Sequence, residues 1–218
     1  MYFFDEFGFN LNMTPRYARA PSGERAYARV PCNRGAAFTL VMGIGLAGIV
    51  APCAFKGGMN GHVFGRYMSE QVVPLLPPDA IVVVDNLGAH HSEDATDALE
   101  ARGVVVVDTP AEIGEASEAN GIQMWFLPAY SPDMTPAEEC GSKVKTLTRA
   151  AAPRTEATLY DAMGHAIGQV TPQDARGWFE HARRARAPRP RPEVAHHGGD
   201  GGDGGTPTSD QPRSPPSG

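Results

Sequence analysis

The chain has 218 residues, 41% of them hydrophobic, enough for one domain of ordinary size with a real core, and a formal charge of −6 that excludes a bulk basic signature for nucleic acid. Three cysteines, Cys32, Cys53 and Cys140, are odd in number, far apart and without a CxxC pair. That excludes a disulfide framework and a structural zinc site and fits a reducing, cytoplasmic setting. No apolar run reaches membrane-spanning length, and no basic stretch followed by an apolar core opens the chain, so the expectation is a soluble protein with no membrane partner.

Tyr2-Phe3-Phe4 predicts a short aromatic strand that ends in Asp5-Glu6, with Gly8 just beyond. Residues 12–36 are polar and rich in Arg, Pro and Gly, and predict a loop and a short strand carrying Arg16, Arg19, Arg25, Arg29 and Arg34. Residues 38–44 and 49–55 predict a hairpin. Gly43-Ile44-Gly45-Leu46-Ala47-Gly48 matches GxGxxG, but a strand-like, proline-broken Ile49-Val50-Ala51-Pro52 follows where a dinucleotide site needs a helix start. No nucleotide cofactor is therefore expected. Val63, Phe64, Tyr67, Met68 and Val72 give residues 61–76 helical spacing, ending at the proline cluster from Pro74 to Pro78.

Residues 80–91, AIVVVDNLGAHH, organise the rest. Ile81 to Val84 form an unbroken β-branched run, the pattern of a strand buried on both faces. It stops at Asp85-Asn86, with Gly88 after. A carboxylate at the tip of a buried strand is costly unless water, a hydrogen-bond partner or a metal compensates it, and carboxyl ends of strands in α/β sheets are where ligands bind. Asp85 and Asn86 equally suit the start of a turn. Ser92 or Asp94 can cap a helix over 95–101, and residues 104–107 and 122–127 predict two more strands. The acidic, turn-rich segment 108–120 between them has the pattern of an inserted loop. Helices follow to about 151, near 155–169 and over 172–184. From about 186 the chain is Pro, Arg, Gly, Ser and Asp with almost no apolar residues, which predicts a disordered tail over 186–218 after a domain at 1–185.

Thr135-Pro136-Ala137-Glu138 has the pattern of a capping box: Thr135 at the N-cap, proline at the first helical position, Glu138 three residues on. Beyond it Ala137, Cys140, Val144, Leu147 and Ala151 recur at three-four spacing and are expected to face inward. Glu138, Ser142, Lys145 and Arg149 fall on the other side, where a carboxylate followed by bases suits a metal ion beside a phosphate backbone. The same bases also suit a solvated face near a helix C-terminus. Three acids, Asp5, Asp85 and Glu138, thus stand at two strand ends and one helix start. Three carboxylates at one point repel unless a divalent ion relieves them. Oxygen ligands without a His/Cys cluster favour Mg²⁺ or Mn²⁺, and two such ions serve phosphoryl transfer.

Three segments, FFDEFGFNL near the start, VVVDNLGAHHS at 82–92 and LPAYSPDMTPAEECGSKVKTLTR at 127–149, resemble the catalytic domain of bacterial insertion-sequence transposases of the Tc/mariner superfamily, the DDE-type endonuclease domain. The resemblance runs from Asp5 to about Phe179. It implies an α/β, RNase H-like mixed sheet of about five strands flanked by helices. It implies that Asp5, Asp85 and Glu138 are catalytic and metal-binding, with two Mg²⁺ or Mn²⁺ ions, and that Glu6 and Glu139 are the fallback ligands. Asn86 and His90 fall on the family's DN…H pattern, where they support the site or contact the DNA end, and Lys145 and Arg149 bind DNA. The implied activity is strand cleavage and strand transfer at element ends, with target DNA as the second substrate and a TA dinucleotide as target. A homodimer, or a partner protein carrying the helix-turn-helix region that the family places upstream and this chain lacks, is expected. The chain departs from the pattern at Thr135, where the family has asparagine, at Gly141, in a region where a tryptophan is common, and at the 108–120 insertion. Thr135 preserves the capping chemistry, whereas Gly141 and the insertion favour the alternative of a catalytically inactive transposase fragment acting as a regulator or interaction module. A host nuclease of the same fold is a third, weaker possibility.

Overall fold

The computed structural model describes residues 1–88, 90–107, 121–127 and 135–185. The expectations for 108–120, for most of 128–134 and for the tail 186–218 lie outside the described residues.

The strands are β1 (Tyr2–Phe9), β2 (Phe38–Gly45), β3 (Gly48–Lys56), β4 (Ile81–Val84), β5 (Val105–Val107) and β6 (Gln123–Phe126). They form one mixed sheet in the order β3-β2-β1-β4-β6-β5. β1, β2 and β3 pair antiparallel, and β1, β4, β6 and β5 pair parallel. The sheet numbers six strands, in keeping with the mixed sheet of about five. β2 and β3 close the hairpin expected there, with Gly45 opposite Gly48, so the GxGxxG stretch is a strand turn and not a phosphate cradle.

The helices are α1 (Gly61–Arg66), α2 (Glu93–Glu100), α3 (Pro136–Ala151), α4 (Glu156–Gly168) and α5 (Pro172–Ala185). The long helix expected over 61–76 is broken: α1 gives way to a π turn at Tyr67–Val72 and a 3-10 turn at Val73–Leu75. Pro74 cannot donate an α-helical hydrogen bond, which ends regular helix there. Ser92, not Asp94, caps α2, accepting from the Ala95 N–H. The short strand expected within 12–36 does not form.

The period of two along β1 divides the core. Phe3, Phe7 and Phe9 pack with Cys140 and Val144 of α3, Leu159 and Met163 of α4 and Ala175 of α5. Phe4 packs on the opposite face with Phe64, Tyr67, Met68 and Leu99. Helices thus cover both faces, and the strand tips of β1 and β4 lie between them. On α3, Ala137, Cys140 and Val144 are buried as expected, but Ala151 is exposed. Thr148 is buried in its place, its hydroxyl donating to the Val144 carbonyl oxygen at 2.9 Å.

Candidate functional site

The sheet register brings the first two acids together. β1 and β4 run parallel with Tyr2 opposite Val82 and Phe3 opposite Val83. β1 does not end at Asp5-Glu6 as expected but runs on to Phe9, with Asp5 paired to Met42 of β2. Carried two residues further, the β1–β4 register sets Asp5 beside Asp85, just past the end of β4, about 4.8 Å being the spacing of adjacent strands. Asp5 shares the β1 face of Phe3 and Phe7, which is the face that α3 covers. The ring of Phe7 lies directly under Gly141, so the first turns of α3 cross β1 beside Asp5. Glu138, one turn before Gly141, is exposed there and within electrostatic reach of Asp5 and of Lys145.

Thr135 caps α3 by accepting from the Ala137 N–H at 3.1 Å, but Glu138 returns no bond to the Thr135 N–H. The reciprocal half of the expected capping box is therefore not used, and capping does not account for this carboxylate.

Burial pushes the Asp5 carboxyl up to about 7. The Glu6 N–H, donating to its Oδ1 at 2.7 Å, opposes the rise, while Glu6, Asp85 and Glu138 add to it by like charge. Both of the other expected acids thus act on Asp5.

Glu6, on the other face of β1, joins Asp85 and His90: one ligand atom from each lies within 4.8 Å of the others. His90 is 2% exposed and stacks on Phe64 with ring centroids 4.1 Å apart. Its Nε2 lies 2.8 Å from Glu6 Oε1. Its Nδ1 bonds the Asp85 carbonyl oxygen at 3.1 Å, and Asp85 Oδ1 lies 2.8 Å from the same nitrogen but off the line of its N–H. Burial alone would lower the imidazole, yet the Asp85 and Glu6 carboxylates push it up to about 10. His90 is accordingly an imidazolium clamp between two acids. Of the two roles expected for it, an enclosed ring suits the supporting one better than a DNA contact.

In this cluster Glu6 Oε2 is buried without a hydrogen-bond partner, and Asp85 Oδ1 has only the misaligned Nδ1 of His90 beside it. Such orphaned anionic oxygens are the donors a hard divalent cation takes. Glu139, the other fallback ligand, is turned away: its Oε1 bonds Nδ1 of His181 on α5. Asn86 is exposed, its Oδ1 2.6 Å from His91 Nε2, and His91 stacks on Phe126. Lys145 lies 5.4 Å from the centre of the Phe7 ring. Sequence patterns did not show the Glu6–His90 pair, whose members are 84 positions apart.

Asp5 and His90 make the same pH prediction. Each has a folded value above its ordinary one, so each contributes stability at low pH that is lost on raising it, Asp5 between 3.8 and about 7 and His90 between 6.5 and about 10. Without divalent cations, Asp5→Asn will therefore raise the melting temperature at pH 8 by roughly 4 °C, on the order of 1–2 kcal/mol after solvent screening. It will give no gain at pH 4. Thermal unfolding in chelator at the two pH values checks this, and an equal shift at both contradicts it.

The comparisons with known proteins follow the same lines. The family described as DDE superfamily endonuclease matches residues 1–159. Among solved structures, the Mos1 strand transfer complex has a TM-score of 0.58 at 18% identity, covering 84% of this chain and 51% of that one. The Mos1 mariner paired end complex with Mn has 0.59 at 16%, covering 84% and 52%. The catalytic domain of Mos1 mariner transposase has 0.52 at 14%, covering 84% and 77%. This chain thus spans about half the length of the first two, and at such identities the likeness bears on the fold, which is RNase H-like. Anthranilate phosphoribosyltransferase of Cupriavidus metallidurans is 32% identical over 78 residues, 36% of this chain but 23% of that protein. Its counterpart in Cupriavidus necator is 31% identical over the same length. So small a share of those proteins carries no argument about activity.

Proposed function

Because the chain belongs to the DDE superfamily endonuclease family, we propose that it is the catalytic domain, residues 1–185, of an insertion-sequence transposase that cleaves DNA at element ends and joins them to a target. The observation that carries this reading is the β1–β4 register, which sets Asp5 beside Asp85 under the start of α3, where Glu138 stands. Asp5, Asp85 and Glu138 would hold two Mg²⁺ or Mn²⁺ ions, with Glu6 in reserve. The orphaned buried oxygens and the repulsion of Asp5 by the other acids support that fit. When bound, such a pair neutralises charge on the attacking and leaving oxygens of an in-line displacement.

The chain's own groups do the rest. Glu6 and His90 hold Asp85 from behind, so its carboxylate keeps its orientation without DNA. Lys145 and Arg149 continue along α3 from Glu138 and bind phosphates of the strand being cut, and Asn86 meets the DNA end from the β4 tip. In the first step a water oxygen forms a bond to phosphorus as the bond to the element's 3′-oxygen breaks. In the second the freed 3′-hydroxyl loses its proton and its oxygen bonds to a target phosphorus as that phosphorus's bond to the target's 3′-oxygen breaks, the target 3′-oxygen leaving and taking up a proton. Through these phosphate contacts the domain alone binds DNA with little sequence preference and strong salt dependence. A second copy, or a partner protein with a helix-turn-helix region, would bring it to the element's ends in the cytoplasm.

The alternative of an inactive regulatory fragment rests partly on Gly141, and that support weakens: Phe7 fills from β1 the space a large residue on α3 would take. Cleavage of an end-labelled duplex carrying the element's termini, with Mn²⁺ or Mg²⁺ and with chelator, tests the proposal. Cation-dependent nicks with little positional preference are expected from the domain alone, and no cutting under any condition rejects it.

A further inference from the structure

The segment between β1 and β2 is not explained by the acids. Its neck is closed: the Leu11 N–H donates to the Arg34 carbonyl oxygen at 3.0 Å. Met13 is buried in the core beside α3, and Arg154, just past the end of α3, donates through Nη1 to the Met13 carbonyl oxygen at 2.8 Å. Arg16, three residues on, is thereby tethered near the C-terminal end of α3. Arg16 is exposed, and its neighbour Tyr17 is 90% exposed, so this part of the loop faces solvent.

Arg16 acts on the charges of α3. Burial lowers Lys145 and Arg149, and Arg16 lowers both further by like charge. Among the described residues, none of these three cations forms an ion pair with a carboxylate. These cations form a cluster of like charge in a chain of net charge −6; Asp5 and Glu138 offset it in part at Lys145, and a phosphate between the cations would offset the rest. Along α3, Lys145 and Arg149 lie about 10 Å and about 16 Å from Glu138 at 1.5 Å per residue. At 3.4 Å per nucleotide of one strand, the far end of the track lies about five nucleotides from the acids.

We propose that Arg16, carried by the tethered loop, completes a three-cation phosphate track with Lys145 and Arg149 and grips the DNA backbone about five nucleotides from the scissile bond. This rests on the proposed function, and it adds a contact from outside the catalytic motifs.

The test measures binding of the full chain to a fluorescein-labelled duplex by anisotropy, from about 50 to about 200 mM salt. Arg16→Ala is expected to weaken binding about three- to tenfold at low salt and to reduce the slope of log K against log salt by about one. Arg25→Ala, the same charge removed farther along the loop, is the control and should leave the slope as in wild type. Circular dichroism confirms folding of each variant. An unchanged slope in Arg16→Ala, while Lys145→Ala and Arg149→Ala lower it, overturns this inference alone. Equal losses in Arg16→Ala and Arg25→Ala reduce it to overall charge and overturn it too. A change in sedimentation with an unchanged slope makes the loop a protein interface instead. Absence of salt-dependent binding in wild type defeats the proposed function, and the track with it.

Discussion

Asp85→Asn will lower cation-dependent DNA cleavage by about a thousandfold or more, on the order of 4 kcal/mol at 1.36 kcal/mol per tenfold, without weakening DNA binding. The effect follows from the placement of Asp85. It is the acid shared by both groupings, beside Asp5 of β1 and within reach of Glu6 and His90 on the other face. An amide has the same shape and can keep its contact with His90, so the fold should persist. It lacks the negative charge that a hard cation requires. The buried Oδ1, beside only the misaligned Nδ1 of His90, is the atom whose charge is lost. Removing one anion from the groove should strengthen phosphate binding slightly, which separates this loss from a loss of affinity. Cleavage of an end-labelled duplex at saturating enzyme, with circular dichroism as fold control, measures it. Equal cutting by wild type and variant would reject the assignment.

The second large effect is structural, and its sign is diagnostic. In an unobstructed helix interior, Gly→Ala stabilises by about 1 kcal/mol. At Gly141 a Cβ would fall 1.9 Å from Phe7 Cε1 and 2.4 Å from its Cδ1 and Cζ. Phe7 is 5% exposed and packed in the core under α3, so its ring cannot swing into solvent. Overpacking of this kind costs about 1–3 kcal/mol, so Gly141→Ala will destabilise by about that amount, and Gly141→Trp will cost more or fail to fold. Phe7→Ala alone will cost about 3–5 kcal/mol by leaving a cavity. Phe7→Ala with Gly141→Trp refills that space from the helix, and the pair should recover at least about 2 kcal/mol relative to the sum of the singles. Urea unfolding of the four proteins completes the cycle. Additive costs would mean that the two positions do not share the space.

How far these features could be read from the sequence depends on how local their causes are. The apolar run at 81–84, the paired strands of the β2–β3 hairpin and the Ser92 cap carry their own patterns, and Asp85 follows from where its run stops; β1 instead runs on through Asp5 to Phe9, because pairing with β2 carries the acids along. The break after Arg66 was half legible: Pro74 marked the end, but a π turn over Tyr67–Val72 leaves the same apolar spacing as a helix. Thr148 in place of Ala151 on the buried face of α3 reflects a hydroxyl satisfied within its own helix, which hydrophobic spacing cannot register. The capping motif at Thr135 gave Glu138 a local purpose that the fold does not use. The enclosure of His90 needed Glu6 from β1 and Phe64 from α1, and the fit of Phe7 to Gly141 needed the crossing of α3 over β1. Both are tertiary facts, with no trace in the neighbouring sequence.

Everything functional depends on three points of the chain, far apart in sequence, sharing one cation site. Iron(II) bound in place of the native ion, with ascorbate and peroxide, cuts a polypeptide beside the residues that hold it. Fragments ending near Asp5, Asp85 and Glu138 together, suppressed by excess Mn²⁺ and absent in Asp85→Asn, are the result expected. Cuts near one of these residues without the other two, or unaffected by the substitution, would contradict it.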